Sequence, residues 1–240
     1  MKHTVKTILF IGLALIALFG MTGCPQNQSF GKPVDPALIL RTDGYGKITG
    51  CKCAKEELPA ALVIPAKIGN EEIKEIGSAA FAGYTGLTSL DLSGCTSLTT
   101  IGESAFPGCT GLNEVKLPAN LTKINNGAFS GCTGLTSLDL SGYTSLTTIG
   151  ESAFKFCMGL TEIKLPANLT KIGCGAFIYC INLTSAVFAN TNGWKVYEYG
   201  GGSYIGSISS SNLAVPATAA KYLRKEVSDG GYCDKYWKKD

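Results

Sequence analysis

Residues 101–123 read IGESAFPGCTGLNEVKLPANLTK, and residues 149–171 read IGESAFKFCMGLTEIKLPANLTK. Related segments lie between them at 124–148 and before them at 76–100, and a fifth unit opens at residue 172. Each unit begins with isoleucine, and the unit lengths alternate as 25, 23, 25 and 23 residues. A fixed period in the twenties that carries L-x-x-L-x-L predicts a leucine-rich solenoid, in which each coil buries its apolar side against the next.

Each unit repeats the same set of core positions. The phenylalanine five residues after the isoleucine predicts a stacked column of Phe81, Phe106, Phe129, Phe154 and Phe177. Three residues later comes a second column, formed by Tyr84, Cys109, Cys132, Cys157 and Cys180. Stacked coils place these thiols about 5 Å or more apart, whereas disulfides need Cβ atoms about 3.5–4.5 Å apart, so this column is predicted to be reduced. The fold class is a mainly β solenoid of about five 23/25-residue units, with a parallel sheet on one face and short turns or helical stubs on the other.

Residues between the buried strand positions point outward, because a strand alternates its faces. We define the candidate face as the eight outward residues Ser89, Asp91, Glu114, Lys116, Ser137, Asp139, Glu162 and Lys164. One of its columns alternates acid and base, so each interior charge is expected to meet two opposite charges. Two interpretations stay open: a solvated face that avoids stacking like charges, or a polar surface that contacts a protein partner.

Composition excludes several kinds of function. Removing Lys2 and Lys6 with the N-terminal segment leaves 19 of the 21 basic residues against 18 acidic ones, so no nucleic-acid partner is expected. The single histidine, His3, lies in the same segment. No G-x-S-x-G motif or metal-ligand cluster occurs, so we expect no enzyme activity, catalytic residue, metal or cofactor.

The N-terminus has the pattern of an export signal. A short basic segment precedes the apolar run ILFIGLALIALFG, which is too short to span a bilayer comfortably. Met21-Thr22-Gly23-Cys24 resembles a bacterial lipobox, which implies cleavage after residue 23 and a lipid on Cys24, giving a membrane partner through the anchor. The alternative is an apolar helix that is retained. The polar, proline-containing residues 24–36 are interpreted as a tether.

The ends of the solenoid are predicted to be capped. Residues 37–61 form an N-terminal cap with a hairpin around Asp43-Gly44. Residues 62–188 form the repeats, and residues 189–240 form a C-terminal cap of a hairpin and a helix, unless its aromatic residues bind a partner. Cys51 and Cys53 are weak evidence for a metal or redox site, and a bridge from this pair to another cysteine is the other possibility.

The units resemble the BspA-like leucine-rich repeats of bacterial surface proteins. Residues 112–135 read LNEVKLPANLTKINNGAFSGCTGL and carry the pattern L-x-x-I-x-L-P-x-x-L-x-x-I-G-x-x-A-F-x-x-C-x-x-L nearly in full. The resemblance implies a surface-exposed or secreted protein used in adhesion or protein binding, with no catalytic residues. Together with the lipobox, it predicts a lipid-anchored protein on the outer-membrane surface of a bacterial cell that binds extracellular or envelope proteins. The alternative is a periplasm-facing envelope scaffold with no external ligand. The identity of the ligand and the oligomeric state stay open.

Overall fold

The computed structural model describes residues 35–198 and 202–239. The expected signal peptide, the lipid-attachment residue Cys24 and residues 25–34 of the expected tether lie outside these ranges. The described chain opens with the helix α1 (Pro36–Ile39), followed by the antiparallel strands β1 (Leu40–Thr42) and β2 (Lys47–Cys51). The Asp43 carboxylate accepts hydrogen bonds from the amides of Tyr45 (2.8 Å) and Lys47 (3.1 Å), which fixes the turn between the two strands.

Each coil contributes one longer and one shorter strand, except the last, which contributes only the longer strand. The longer strands are β3 (Ala61–Val63), β7 (Ser89–Asp91), β9 (Glu114–Lys116), β11 (Ser137–Asp139), β13 (Glu162–Leu165) and β15 (Ser185–Phe188). The shorter strands are β6 (Glu75–Ile76), β8 (Thr100–Ile101), β10 (Lys123–Ile124), β12 (Thr148–Ile149) and β14 (Lys171–Ile172). A small hairpin of β4 (Lys67–Ile68) and β5 (Glu71–Glu72) fills the longer link before the first full unit.

The chain after the repeats forms a mixed cap. Its elements are β16 (Trp194–Tyr197), β17 (Tyr204–Ser207), α2 (Ser210–Leu213), α3 (Pro216–Arg224) and β18 (Tyr236–Lys239). Strand β18 pairs antiparallel with β14 and with β16. The indole rings of Trp194 and Trp237 are buried against Phe188, so aromatic side chains cover the apolar end of the last coil.

The two kinds of strand form different sheets. The shorter strands form one ten-stranded ribbon with the caps, in the order β1-β2-β6-β8-β10-β12-β14-β18-β16-β17. The longer strands form two separate three-stranded parallel sheets, β3-β7-β9 and β11-β13-β15. The solenoid and its parallel strands confirm the predicted fold class, but the expected single sheet is replaced by an unbroken ribbon on one side and a divided sheet on the other.

The core is a set of stacked columns. Consecutive phenylalanine rings from Phe81 to Phe177 lie 5.1–5.6 Å apart between centroids and are nearly parallel. The thiols of the second column also bind backbone: Cys109 donates to the Phe81 carbonyl (3.1 Å), and Cys132 donates to the Phe106 carbonyl (3.2 Å). Cysteine fits this position because its side chain is small and apolar yet still carries a donor for a buried carbonyl. These cysteines are free thiols, as predicted.

The cysteine pair near the N-terminus behaves differently from both expectations. Cys51 and Cys53 form a disulfide with each other. Neither an open metal or redox pair nor a bridge to a third cysteine is therefore present among the described residues. The reason is local, since β2 ends at Cys51 and the following bend brings the Cα atoms of the pair to 5.3 Å, within the range that a disulfide spans.

Candidate binding face

The structure places the eight residues of the candidate face in two groups. In the first sheet Ser89 is paired in register with Glu114, and Asp91 with Lys116. In the second sheet Ser137 is paired with Glu162, and Asp139 with Lys164. Parallel in-register strands bring equivalent residues side by side, so each group is a compact cluster of two acidic residues, one lysine and one serine.

The expected column of alternating charges is wrong in the middle. Lys164 contacts the Asp139 carboxylate at 3.1 Å, but Lys116 pairs with Glu114 on its own strand at 3.2 Å. Strands β9 and β11 share no ladder in the described part of the chain, so Lys116 and Asp139 are not ladder partners. The charges of the candidate face are therefore satisfied within each group rather than along one continuous column.

Both aspartates also hold the turn that follows their strand. Asp91 accepts hydrogen bonds from the Ser93 hydroxyl (2.6 Å) and amide (2.8 Å), and Asp139 accepts the same pair from Ser141 (2.6 and 3.0 Å). These serine hydrogen bonds lower the pKa of both carboxyl groups, so both are ionised at neutral pH. Each aspartate thus shapes its turn and also presents a negative charge to solvent.

The division between the two sheets has a specific atomic cause. At the joined strands, the amide that follows the strand donates to a neighbouring strand carbonyl: Ile64 to Asp91 (2.9 Å), Leu92 to Lys116 (2.8 Å) and Leu140 to Lys164 (2.8 Å). The equivalent amide of Leu117 instead donates to the hydroxyl of Tyr143 (3.1 Å). A side chain has replaced the strand as the hydrogen-bond partner, and the ladder stops there.

Tyr143 occupies the position that Cys95 holds two units earlier. Both follow the sequence LTSLDLSG and precede TSLTT. The Cys95 side chain is fully buried, and its thiol donates to the carbonyls of Ile64 (3.2 Å) and Pro65 (3.4 Å), so the coils stay close. The tyrosine ring is larger and is only half-buried, so it lies between its coil and the preceding one.

The opening beside Tyr143 is a surface cleft of about 480 Å³. It is lined by Ser93, Leu117, Ala119, Asp139, Ser141, Gly142 and Tyr143. Its walls combine an apolar floor, a phenol, a carboxylate and serine hydroxyls, and this mixture suits a protein side chain or a short extended segment. Strand alternation in the sequence identifies Asp139 but assigns no role to Tyr143; the signal for Tyr143 is the exchange of cysteine for tyrosine within two otherwise identical segments.

Coils that each place a short strand on a shared outer surface define the leucine-rich repeat class of protein, which generally binds other proteins. A sequence profile described as the BspA type leucine rich repeat region matches residues 71–198 in six copies, which is more than half of the chain. The chain therefore belongs to the BspA type leucine-rich repeat family. The match has six copies where about five units were expected, and it extends from before Ile76 to beyond Phe188.

Solved structures of bacterial leucine-rich repeat proteins share this architecture. The T. pallidum leucine-rich repeat protein is 33% identical over 60% of this chain, with a TM-score of 0.54. A leucine-rich repeat protein from Bacteroides ovatus is 27% identical over 64% of the chain, also with a TM-score of 0.54. The chain spans 65% and 43% of the lengths of these two proteins. The pneumococcal vaccine antigen PcpA shares the fold at 20% identity and a TM-score of 0.51, over 64% of this chain and 36% of its own. No curated protein matches the sequence.

Proposed function

We propose that this protein is a lipid-anchored protein of the bacterial cell envelope that binds an extracellular or neighbouring-cell protein in adhesion. The family supports a protein-binding role, and the lipobox-like residues before Cys24 support the anchor. Acyl chains contribute about 0.8 kcal/mol per buried methylene, so two or three chains, including a palmitate, hold a protein firmly at a membrane. Within the described residues, no helix is both long and apolar enough to cross a bilayer.

The observation that carries the proposed binding site is the break between β9 and β11. The candidate face lies on both sides of it, with Lys116 at one edge and Asp139 at the other. Backbone amides and carbonyls at such edges are available to an extended segment of a partner. The cleft beside Tyr143 supplies the apolar contact and the tyrosine that are typical of binding hot spots.

A binding screen with matched variants tests the site. The full chain, kept in detergent, is assayed by surface plasmon resonance against extracellular matrix, serum and epithelial proteins. Tyr143→Cys restores the SGCTS sequence of the earlier unit and is expected to close the cleft, so binding should fall at least tenfold. Ser207→Ala, in strand β17 at the far end of the ten-stranded ribbon, serves as the control. Equal affinity for the Tyr143→Cys variant and the unchanged protein would place the ligand elsewhere.

Location is tested separately on intact cells. External protease should remove the protein while a periplasmic marker survives, and Cys24→Ala should release the chain from the membrane fraction. Survival until the outer envelope is broken would favour the periplasm-facing scaffold instead. The proposed role is non-enzymatic and needs no cofactor; turnover of any substrate that disappears on changing Asp139 or Lys164 would contradict that part of the proposal.

A further inference from the structure

The turn after each core phenylalanine differs between the first three units and the last two. Two residues after that phenylalanine, the first three units have Gly83, Gly108 and Gly131, with φ angles of 71°, 68° and 73°. The last two units have Phe156 and Tyr179 at this position, and their φ angles are 60° and 62°. The backbone is left-handed in all five units, although a bulky side chain is unfavourable in that conformation.

A second position changes in the same two units. Two residues beyond the glycine, the first three units have Thr85, Thr110 and Thr133, whereas the last two have Met158 and Ile181. We call the four substituted residues the turn patch; their exposed fractions are 39% for Phe156, 42% for Met158, 46% for Tyr179 and 61% for Ile181. Large apolar side chains therefore collect on the surface of two adjacent coils, where the other coils carry glycine and threonine.

The aromatic residues of the turn patch are held in one arrangement. The rings of Phe156 and Tyr179 stack with centroids 4.8 Å apart and planes 9° from parallel. The ammonium group of Lys155 lies 5.0 Å from the centroid of the Phe156 ring and 6.0 Å from that of Tyr179. The solenoid core does not require these rings, because the buried phenylalanine column is complete without them. Unfavourable backbone conformations retained without a packing need point to a role at the surface.

We infer that the turn patch is a second binding surface, for a protein partner that presents apolar side chains flanked by carboxylates. Charge supports the acidic partner: residues 149–239 contain ten basic and six acidic residues, whereas residues 35–148 contain eight basic and eleven acidic ones. Lys155 places a positive charge at the patch itself. Fixed, stacked aromatic rings are the anchors that protein interfaces favour, whereas insertion into lipid does not need fixed ring positions.

The test is a selection from a phage-displayed library of dodecapeptides on the immobilised full chain. Binders are counter-selected against the double variant Phe156→Gly and Tyr179→Gly, which restores the residue of the first three units and should fold with an unchanged or higher Tm. A second variant, Met158→Thr with Ile181→Thr, repeats the test with the other substituted position. We expect peptides that combine Asp or Glu with aliphatic or aromatic residues, and synthetic copies should bind each variant at least tenfold more weakly.

Further measurements separate the alternatives. Lys155→Ala should weaken peptide binding and reduce its dependence on salt, while Tyr143→Cys should leave it unchanged, so this inference and the proposed site can fail independently. The inference would be overturned if the selected peptides lacked acidic residues. It would also be overturned if they bound the glycine variant and the threonine variant as tightly as they bind the unchanged chain. Self-association that is lost in the glycine variant would identify a second copy of the chain as the partner. Sedimentation with phosphatidylglycerol vesicles that is lost in the same variant would identify a lipid surface. Either result would overturn the acidic partner.

Discussion

Two turns of the molecule share nearly the same sequence and have opposite effects on the sheet. The turn at residues 93–97 reads SGCTS and keeps strands β3 and β7 joined, whereas the turn at residues 141–145 reads SGYTS and separates β9 from β11. The difference is one side chain, a buried thiol in one turn and a phenol in the other. Continuity of a repeat sheet is therefore decided at single turn positions, even where strands and core columns are conserved from coil to coil.

The largest expected effect comes from moving the tyrosine to the closed turn. Cys95→Tyr forces a ring into a fully buried site, so the free energy of unfolding should fall by about 3 kcal/mol, at the upper end for overpacking. Chemical denaturation measures the loss. Hydrogen exchange of the Ser89 amide, which donates to the Ala60 carbonyl (3.0 Å), should accelerate, because the ring would separate β7 from β3. Cys95→Ser is the control, and a Cys95→Tyr protein with unchanged exchange at Ser89 would disprove the explanation.

The second-largest effect is expected from raising the pH, because only the turn with Cys95 contains a buried thiol that can ionise. Burial raises the pKa of the Cys95 thiol from 9.0 to about 11. The protonated thiol stabilises the fold fully below about pH 9, and this contribution is lost as the pH rises to 11, by roughly 2 kcal/mol. The measurement is the unfolding free energy of the unchanged protein and Cys95→Ala from pH 8 to 11; parallel curves would show that the thiol makes no such contribution.

A smaller effect should follow removal of the tyrosine hydroxyl. Tyr143→Phe keeps the ring that separates the coils but leaves the Leu117 amide without its acceptor, so stability should fall by about 1 kcal/mol. Hydrogen exchange at Leu117 should accelerate while exchange at Leu92 stays constant. Tyr222→Phe is the matched control, because it removes a hydroxyl that accepts a hydrogen bond from Asn212 in the C-terminal cap. Equal exchange at Leu117 in both variants would mean that the hydroxyl is not the relevant acceptor.

The smallest expected effect concerns the ion pair beside the opening. Lys164→Ala removes the 3.1 Å contact with Asp139, and the expected change in stability is small because solvent screens an exposed ion pair. Thermal unfolding in low and high salt measures it, with Lys116→Ala as the equivalent change in the other sheet. A large loss of stability that does not depend on salt concentration would show that ion pairs, and not the core columns, hold the candidate face in place.

Much of the fold was predictable because periodicity in the sequence reports which residues face inward. The phenylalanine column, the reduced cysteines and the parallel strands all follow from spacing that repeats every 23 or 25 residues. The divided sheet did not follow from spacing, because Tyr143 and Cys95 occupy the same repeat position and only their volumes differ. The prediction of one continuous column of alternating charges was wrong for the same reason, since it assumed that all six longer strands form a single sheet.

The surface features were harder to predict than the core. The outward positions of Asp91 and Lys164 follow from strand alternation, but the serine contacts that lower the aspartate pKa depend on turn geometry. The turn patch was missed because Phe156 and Tyr179 are apolar residues beside core positions, and a hydrophobic pattern alone cannot distinguish them from the core. Comparison of equivalent positions among the units, glycine in three and aromatic in two, is the signal that distinguishes them.

The unbroken ribbon of shorter strands holds the coils on either side of the opening in place. It crosses the level of the break through β8, β10 and β12 without interruption. The core is also continuous at this level, because the Phe106 amide donates to the Ala128 carbonyl (2.8 Å) and the Phe106 ring stacks on Phe129. The opening is therefore a fixed gap on one face of an otherwise continuous solenoid, and a ligand can enter it without the unfolding of a coil.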